Sequence, residues 1–144
     1  MALITLAACS GNLREVTNQP PQASLDGLEK TSDGVIVALG LRNVNDEPLQ
    51  LDGVSITLTL DDEPLAVGDR HLPLIISSRG REVLRFTLAA EPAGLQRLNE
   101  LATGDVARLP WSLEAQLTLS SSAKRRARAN GWLHPVPGQP DRFR

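Results

Sequence analysis

The stretch that decides the fold is residues 53–62, GVSITLTLDD, in which apolar and polar side chains alternate without interruption. Val54, Ile56, Leu58 and Leu60 fall on one face of an extended chain, and the residues between them fall on the other. Such a pattern is typical of an antiparallel sheet that covers a core with one face only. We therefore expect a half-buried antiparallel strand here.

The same period of two recurs on both sides of this stretch. Clusters of turn residues separate the segments, and the acidic turn at Asp61 and Asp62 leads into a short return strand that begins with residues 65–67. One passage is helical instead, with Pro92 suited to a first turn and Gly104 to a C-terminal cap. The pattern predicts an all-β, antiparallel sandwich of about seven strands with one short helix at about 92–103. Further strand segments are 35–43, 71–77, 82–89, 110–122 and 126–135.

Residues 24–90, from SLDGLEK to RFTLAA, resemble the water stress and hypersensitive response (WHy) domain of type 2 late embryogenesis abundant proteins. The resemblance covers roughly residues 22–136, and its sharpest element is an Asn-Pro-Asn turn, where this chain has Asn43-Val44-Asn45. Since valine restores a free φ and a backbone N–H, we expect a looser turn. The resemblance implies an immunoglobulin- or fibronectin III-like sandwich and a protective role in desiccation and other stress. It implies no reaction and no catalytic residues.

The only cysteine, Cys9, ends an apolar run in LAAC, followed by Ser10 and Gly11. The run resembles the lipobox of a bacterial lipoprotein, in which the cysteine carries a lipid and becomes the mature N-terminus. It lacks a positively charged start, so we interpret residues 1–9 as a truncated lipoprotein signal; the alternative is a chance apolar start with an unmodified thiol. A serine after the cysteine favours the outer membrane over the inner one.

The remaining boundaries follow from composition. Residues 10–21 are polar and without period, so we expect a tether that, with Gln22, could reach about 45 Å when fully extended. Residues 22–136 form the predicted sandwich domain, and residues 137–144 the predicted C-terminal tail.

The net charge argues against nucleic acid as a partner, and one basic run remains as a candidate contact surface. The net charge of −2 gives no general attraction to nucleic acid, and no aromatic residue interrupts the one basic run to stack bases. That run could contact an anionic lipid surface, or it could simply protect an exposed strand from aggregation. Its members are Lys124, Arg125, Arg126 and Arg128.

No residue pattern indicates catalysis or a cofactor. Three acids, Asp61, Asp62 and Glu63, are too crowded before a proline for a calcium loop, so we interpret them as a solvated turn. His71 and His134 are far apart in sequence and lack metal-ligand spacing, and no serine sits in a nucleophile elbow. The tryptophans, Trp111 and Trp132, are interpreted as structural. We expect no enzyme activity, no metal, no cofactor and no small-molecule substrate.

The sequence thus favours a non-enzymatic lipoprotein of the bacterial cell envelope, anchored to a membrane through Cys9 and facing the periplasm. The expected action is weak contact with stress-labile proteins or with the membrane surface. The alternative is an accessory or scaffold lipoprotein that binds one specific envelope protein, for instance by strand addition at a sheet edge. A hydrolase with an unrecognised site is a third, disfavoured reading.

Overall fold

Two antiparallel β-sheets and one helix form the computed structural model, which describes residues 14–144. This confirms the predicted antiparallel sandwich with a single short helix. In chain order the elements are β1 (Gln22–Lys30), β2 (Val35–Arg42), β3 (Leu49–Leu60), β4 (Glu63–Ile76), β5 (Arg81–Leu88), α1 (Pro92–Thr103), β6 (Leu109–Leu119), β7 (Lys124–Leu133), β8 (Pro135–Val136) and β9 (Gln139–Phe143).

The strands are divided between a five-stranded and a four-stranded sheet. The first has the order β5-β2-β1-β9-β8, and the second has the order β4-β3-β6-β7. Strand β3, which contains the alternating stretch quoted above, is central in its sheet and pairs with β4 on one side and β6 on the other. Its apolar face points into the space between the sheets, where Ile56, Leu58 and Leu60 are at most 1% exposed.

The core between the sheets is almost wholly aliphatic, as the composition predicts. Both sheets contribute to it, and the buried aromatic side chains are Phe86 and Phe143. Among the described residues no buried side-chain nitrogen or oxygen lacks a hydrogen-bond partner, so the polar groups that enter the core are satisfied.

Helix α1 has the predicted bounds and packs against the β3–β4 hairpin. Leu98 and Leu101 are buried, and Gly104 adopts the left-handed conformation (φ 83°) that lets its N–H cap the helix. Gly94 is required by close approach, because a Cβ at this position would lie 2.4 Å from the carbonyl oxygen of Pro64.

Two strand predictions are wrong in detail. The short strand expected to begin with residues 65–67 and the further strand expected at 71–77 are one continuous strand, β4, because its backbone stays paired with β3 through Gly68 and His71. Asp69 and Arg70 are exposed there, so the apolar pattern is interrupted while the ladder is not.

The C-terminal tail predicted at 137–144 is also wrong, because these residues complete the five-stranded sheet. Strand β9 pairs with β1 and β8, and Leu28 lies opposite Phe143. The Phe143 side chain is 1% exposed, so the domain extends past the predicted end at residue 136. The signal predicted at 1–9, including Cys9, lies outside the described residues.

Candidate functional site

The Asn43-Val44-Asn45 turn between β2 and β3 is built around a fully buried amide. Asn43 is 0% exposed, and its Nδ2 donates to the carbonyl oxygens of Glu47 at 2.7 Å, Ser77 at 3.2 Å and Ile76 at 3.3 Å. Its backbone N–H donates to Gly80, which lies in the turn between β4 and β5. Asn43 therefore ties the two neighbouring turns together, and side-chain hydrogen bonds hold this turn without a proline.

Asn45 is oriented by Asn43 and contacts the chain that enters the domain. The Oδ1 atom of Asn43 accepts from both the backbone N–H and the Nδ2 of Asn45, each at 3.0 Å. Asn45 in turn accepts from the N–H of Gln19 at 2.8 Å through Oδ1 and donates to its carbonyl oxygen at 2.9 Å through Nδ2. One side-chain amide thus pairs with both backbone groups of one residue.

Asp46 makes an equivalent contact with Val16, which lies three residues before Gln19. Its carboxylate accepts from the N–H of Val16 at 2.7 Å, and its own N–H donates to the carbonyl oxygen of Val16 at 2.9 Å. Arg79 donates to the same carboxylate at 2.8 Å. The Val16 N–H and, secondly, the Arg79 guanidinium hold the pKa of Asp46 below its ordinary value of 3.8.

Residues 14–21, called the strap from here on, are therefore seated on the domain and belong to the stretch that the sequence predicts as a polar tether. Over its described part this predicted tether is held to the domain, because Asn45 and Asp46 bind the backbone groups of Val16 and Gln19. Sequence reasoning identified Asn43 and Asn45 but missed Val16, Gln19, Asp46 and Arg79. Only Asp46 carried a local signal, since it follows the Asn-x-Asn motif directly.

The predicted basic cluster lies at the start of β7, an edge strand, and the structure divides it into two pairs. Arg126 and Arg128 both point to Glu114 on the neighbouring strand, with Nε-to-carboxylate distances of 3.3 Å and 3.0 Å. Between residues 14 and 144, Lys124 and Arg125 form no ion pair. The cluster has a net positive charge because the single carboxylate of Glu114 pairs with two guanidinium groups.

The strap and the basic cluster lie side by side. An open groove of about 550 Å³ is lined by Gln19, Pro20 and Pro21 of the strap on one side and by Arg126 and Arg128 on the other. A smaller cleft of about 80 Å³ places Arg125 beside Asn18 and Asn45. The motif turn, the strap and the basic strand therefore form one continuous surface, which we call the strap end.

The other candidate residues lie elsewhere and do not converge. Asp61 and Asp62 form the hairpin turn between β3 and β4 with φ of 50° and 63°, and the Asp61 carboxylate pairs with Arg97 of α1. His71 is exposed beside Asp69, and His134 pairs through its backbone with Arg144. In the described part of the chain, no three His, Cys, Asp or Glu residues are grouped to hold a metal ion.

The two tryptophans differ in exposure. Trp111 is partly buried against the core, as expected, whereas the Trp132 side chain is half exposed and stacks with the Arg108 guanidinium 4.0 Å from its ring centroid. Over residues 14–144, no helix has the length and apolarity to span a bilayer.

Comparison with known sequences finds one family. Residues 38–130 match the profile of the family described as late embryogenesis abundant protein, which covers well over half of the chain. The matched region begins in β2 and ends in β7, and it contains both Asn43 and Asn45. No curated protein sequence matches the chain.

Solved structures show the same fold. A protein from Arabidopsis thaliana, determined in solution, superposes with a TM-score of 0.59 at 12% identity, covering 95% of this chain and 97% of that one. A candidate late embryogenesis abundant protein, also determined in solution, superposes with a TM-score of 0.51 at 14% identity, covering 84% of this chain and 74% of that one. At such low identities these likenesses concern the fold alone.

Proposed function

The chain belongs to the late embryogenesis abundant protein family, and from that premise we propose that it is a non-enzymatic stress-protection protein of the WHy type. The observation that carries this proposal is the family match over residues 38–130, which spans most of the two-sheet core. The buried Asn43-x-Asn45 turn supports the WHy assignment, because it gives the motif a defined structural role in this chain.

Protection is proposed to act by weak, reversible contact with other proteins or with a membrane surface. Large apolar side chains that the structure shows exposed are Val67, Ile75, Val83 and, at half exposure, Trp132. Val67 and Ile75 lie on β4, Val83 on β5 and Trp132 on β7, and all three are edge strands. Their distribution over three strands of two sheets favours low-affinity contacts over one large apolar interface. The strap end, with its hydrogen-bonding turn and basic strand, is the most distinctive surface.

We further propose that the protein is a lipoprotein of the bacterial cell envelope, held through Cys9. The seated strap supports a short anchor, because the chain between Cys9 and Arg14 could extend by no more than about 18 Å. This length would keep the strap end near the bilayer, where Lys124 and Arg125 could add roughly 1 kcal/mol each on anionic lipid. The lipid would then hold the protein at the bilayer, and the basic residues would add to that attachment.

The protective role is tested by drying an enzyme with the purified protein and measuring the activity that survives rehydration. The proposal predicts more surviving activity than with an equal mass of an unrelated β-sandwich protein, which controls for simple bulk effects. Equal survival with the two proteins would refute protection. A single stoichiometric partner captured by mild cross-linking in cells would favour the scaffold alternative.

The anchor is tested separately by fractionating cells that express the wild type or Cys9→Ser. The wild type is expected in the membrane fraction with a lipid-modified N-terminal peptide, and Cys9→Ser is expected to leave that fraction. An unchanged distribution together with an unmodified peptide mass would refute the lipoprotein form and leave the protective role untouched.

A further inference from the structure

Each described hydrogen bond between the Asn45–Asp46 turn and the strap uses the strap's main chain, while the Pro21 side chain at the end of the strap is buried and Val16 is partly buried. Asn45 pairs with the N–H and the carbonyl of Gln19, and Asp46 pairs with the N–H and the carbonyl of Val16. Four hydrogen bonds therefore engage two strap residues three positions apart. Within the described strap residues, no side chain donates or accepts a bond in this contact.

The hydrogen bonds of this contact do not depend on which side chains the two contact residues carry, since every residue except proline offers both backbone groups. We propose that the Asn45–Asp46 turn is a binding site for backbone segments of other polypeptides, and that the strap is its built-in occupant. The inference rests on the proposed function, because it names the partner class and the surface of the weak protein contacts.

Residues outside the strap orient both side chains of the site. Asn45 is 6% exposed, and its amide is oriented by Asn43, which is itself buried. Arg79 orients the Asp46 carboxylate, and its own backbone N–H donates to the carbonyl oxygen of Asn45 at 3.1 Å. Recognition of an extended segment by backbone bonds is a known mode of peptide binding, and here it needs little reorganisation.

The strap also defines one conformational requirement. Asn18, between the two contact residues, has a φ of 57°, which is the left-handed region that asparagine and glycine adopt most readily. A bound segment should therefore carry Asn or Gly just before its second contact residue. A β-branched residue at that position should weaken binding.

The covalently attached strap makes the site responsive to concentration. A segment tethered by a short linker competes at an effective concentration in the millimolar range, so dilute polypeptides would seldom displace it. Water loss raises the concentration of every other polypeptide around the domain. The site would then exchange its own strap for a neighbouring segment when protection is needed.

The test compares two full-length variants of the strap. Val16→Pro/Gln19→Pro removes both N–H donors and should free the site, whereas Val16→Ala/Gln19→Ala keeps the donors and serves as the matched control. The probe is a fluorescent peptide with the sequence of residues 14–21, REVTNQPP. We expect the proline variant to bind it at least about tenfold more tightly than the control, a difference of about 1.4 kcal/mol.

Three further measurements sharpen the result. Adding Asn45→Ala to the proline variant should weaken binding at least about tenfold, and N-methylation of the peptide at its Val16 and Gln19 positions should do the same. Alanine at the Arg14, Glu15 and Thr17 positions of the peptide should leave affinity within about threefold. Equal binding to both strap variants, or full binding after Asn45→Ala, would overturn the proposal.

A fallback keeps the test decisive if the proline variant does not fold, which circular dichroism would show. Saturating REVTNQPP added to the wild type should then speed hydrogen exchange at the Val16 and Gln19 amides, and unchanged exchange would count against the site. The drying assay is independent of both readouts. Protection without peptide binding refutes this inference alone, and peptide binding without protection refutes the proposed function alone.

Discussion

The two ends of the sandwich are closed by different chemistry. At the strap end, the buried amides of Asn43 and Asn45 connect turns and the incoming chain by hydrogen bonds. At the opposite end, α1 covers the β3–β4 hairpin with Leu98 and Leu101, and Arg97 pairs with Asp61 and Glu100. One closure is polar and the other is mainly apolar.

This difference bears on which end can change partners. An apolar helix released from the core would expose its buried surface to water, at roughly 25 cal/mol per Å². A backbone segment released from Asn45 and Asp46 exchanges its hydrogen bonds for similar ones to water, at a net cost near 1 kcal/mol each. The helix end is therefore suited to permanent closure, and the strap end is suited to exchange.

The largest effect is expected at the helix end, from Leu98→Ala. Leu98 is 0% exposed, so the substitution leaves a cavity and should lower the free energy of unfolding by about 3–4 kcal/mol. Urea denaturation measures this loss. Leu95→Ala, at a partly exposed position of the same helix, is the control and should cost much less; equal losses would contradict the assigned packing.

Asn43→Ala should have the next largest effect and lower the free energy of unfolding by about 2–3 kcal/mol. The three carbonyl oxygens that accept from the Asn43 side chain lose their donor. Glu47 and Ser77 are exposed residues, so water can reach part of the site and limit the loss. The same variant should also release the strap, which Leu98→Ala should leave seated. Proteolysis within residues 14–21 distinguishes them: faster cleavage in both variants, or in neither, would contradict the separation of the two ends.

The pH dependence of the strap contact should be small and of defined sign. The folded pKa of Asp46 lies below 3.8, so its contribution to stability is present above that value and is lost as the pH falls through the folded pKa. Asp46→Asn should therefore be less stable than the wild type at neutral pH, with the gap narrowing in acid. Unfolding midpoints of the two proteins at neutral pH and at acid pH measure the difference in stability. A difference that grows as the pH falls would contradict the expected sign.

The smallest expected effect is a gain in stability from Val44→Pro, which restores the proline of the family motif. The Val44 N–H makes no backbone hydrogen bond among the described residues, and its φ is not positive. Proline should stabilise the domain by about 0.5 kcal/mol by restricting the unfolded chain. Thermal unfolding measures the gain, with Val44→Ala as the control. A loss of more than about 1 kcal/mol would mean that the turn requires a conformation proline does not allow.

The sequence predicts the helix end better than the strap end. The bounds of α1 and the apolar face of β3 follow from local periodicity, and Pro92 and Gly104 mark the helix termini. Strand β9 has no such signal, because its place depends on pairing with β1, distant in sequence. Strand β1 also lacks a clear periodicity, since a bulge between Leu25 and Gly27 interrupts its alternation.

The strap contact illustrates a second limit. The family motif drew attention to Asn43 and Asn45, yet nothing in the composition of residues 14–21 indicates that Val16 and Gln19 are bound through their backbone. Backbone groups are the same in every residue, so a contact that uses them alone leaves no trace in side-chain pattern. The basic cluster can be identified from the sequence. Its pairing with Glu114 cannot, because the register of β6 against β7 brings Glu114 beside Arg126 and Arg128.

Hydrogen exchange at the Val16 and Gln19 amides tests the central claim, that the Asn45–Asp46 turn holds a polypeptide backbone, most directly. In the wild-type protein both amides should exchange more slowly than the Thr17 amide between them. In Asn45→Ala, protection at Gln19 should be lost while the amides of β3 stay protected. Fast exchange at both positions in the wild type, or unchanged protection of Gln19 in Asn45→Ala, would contradict the account.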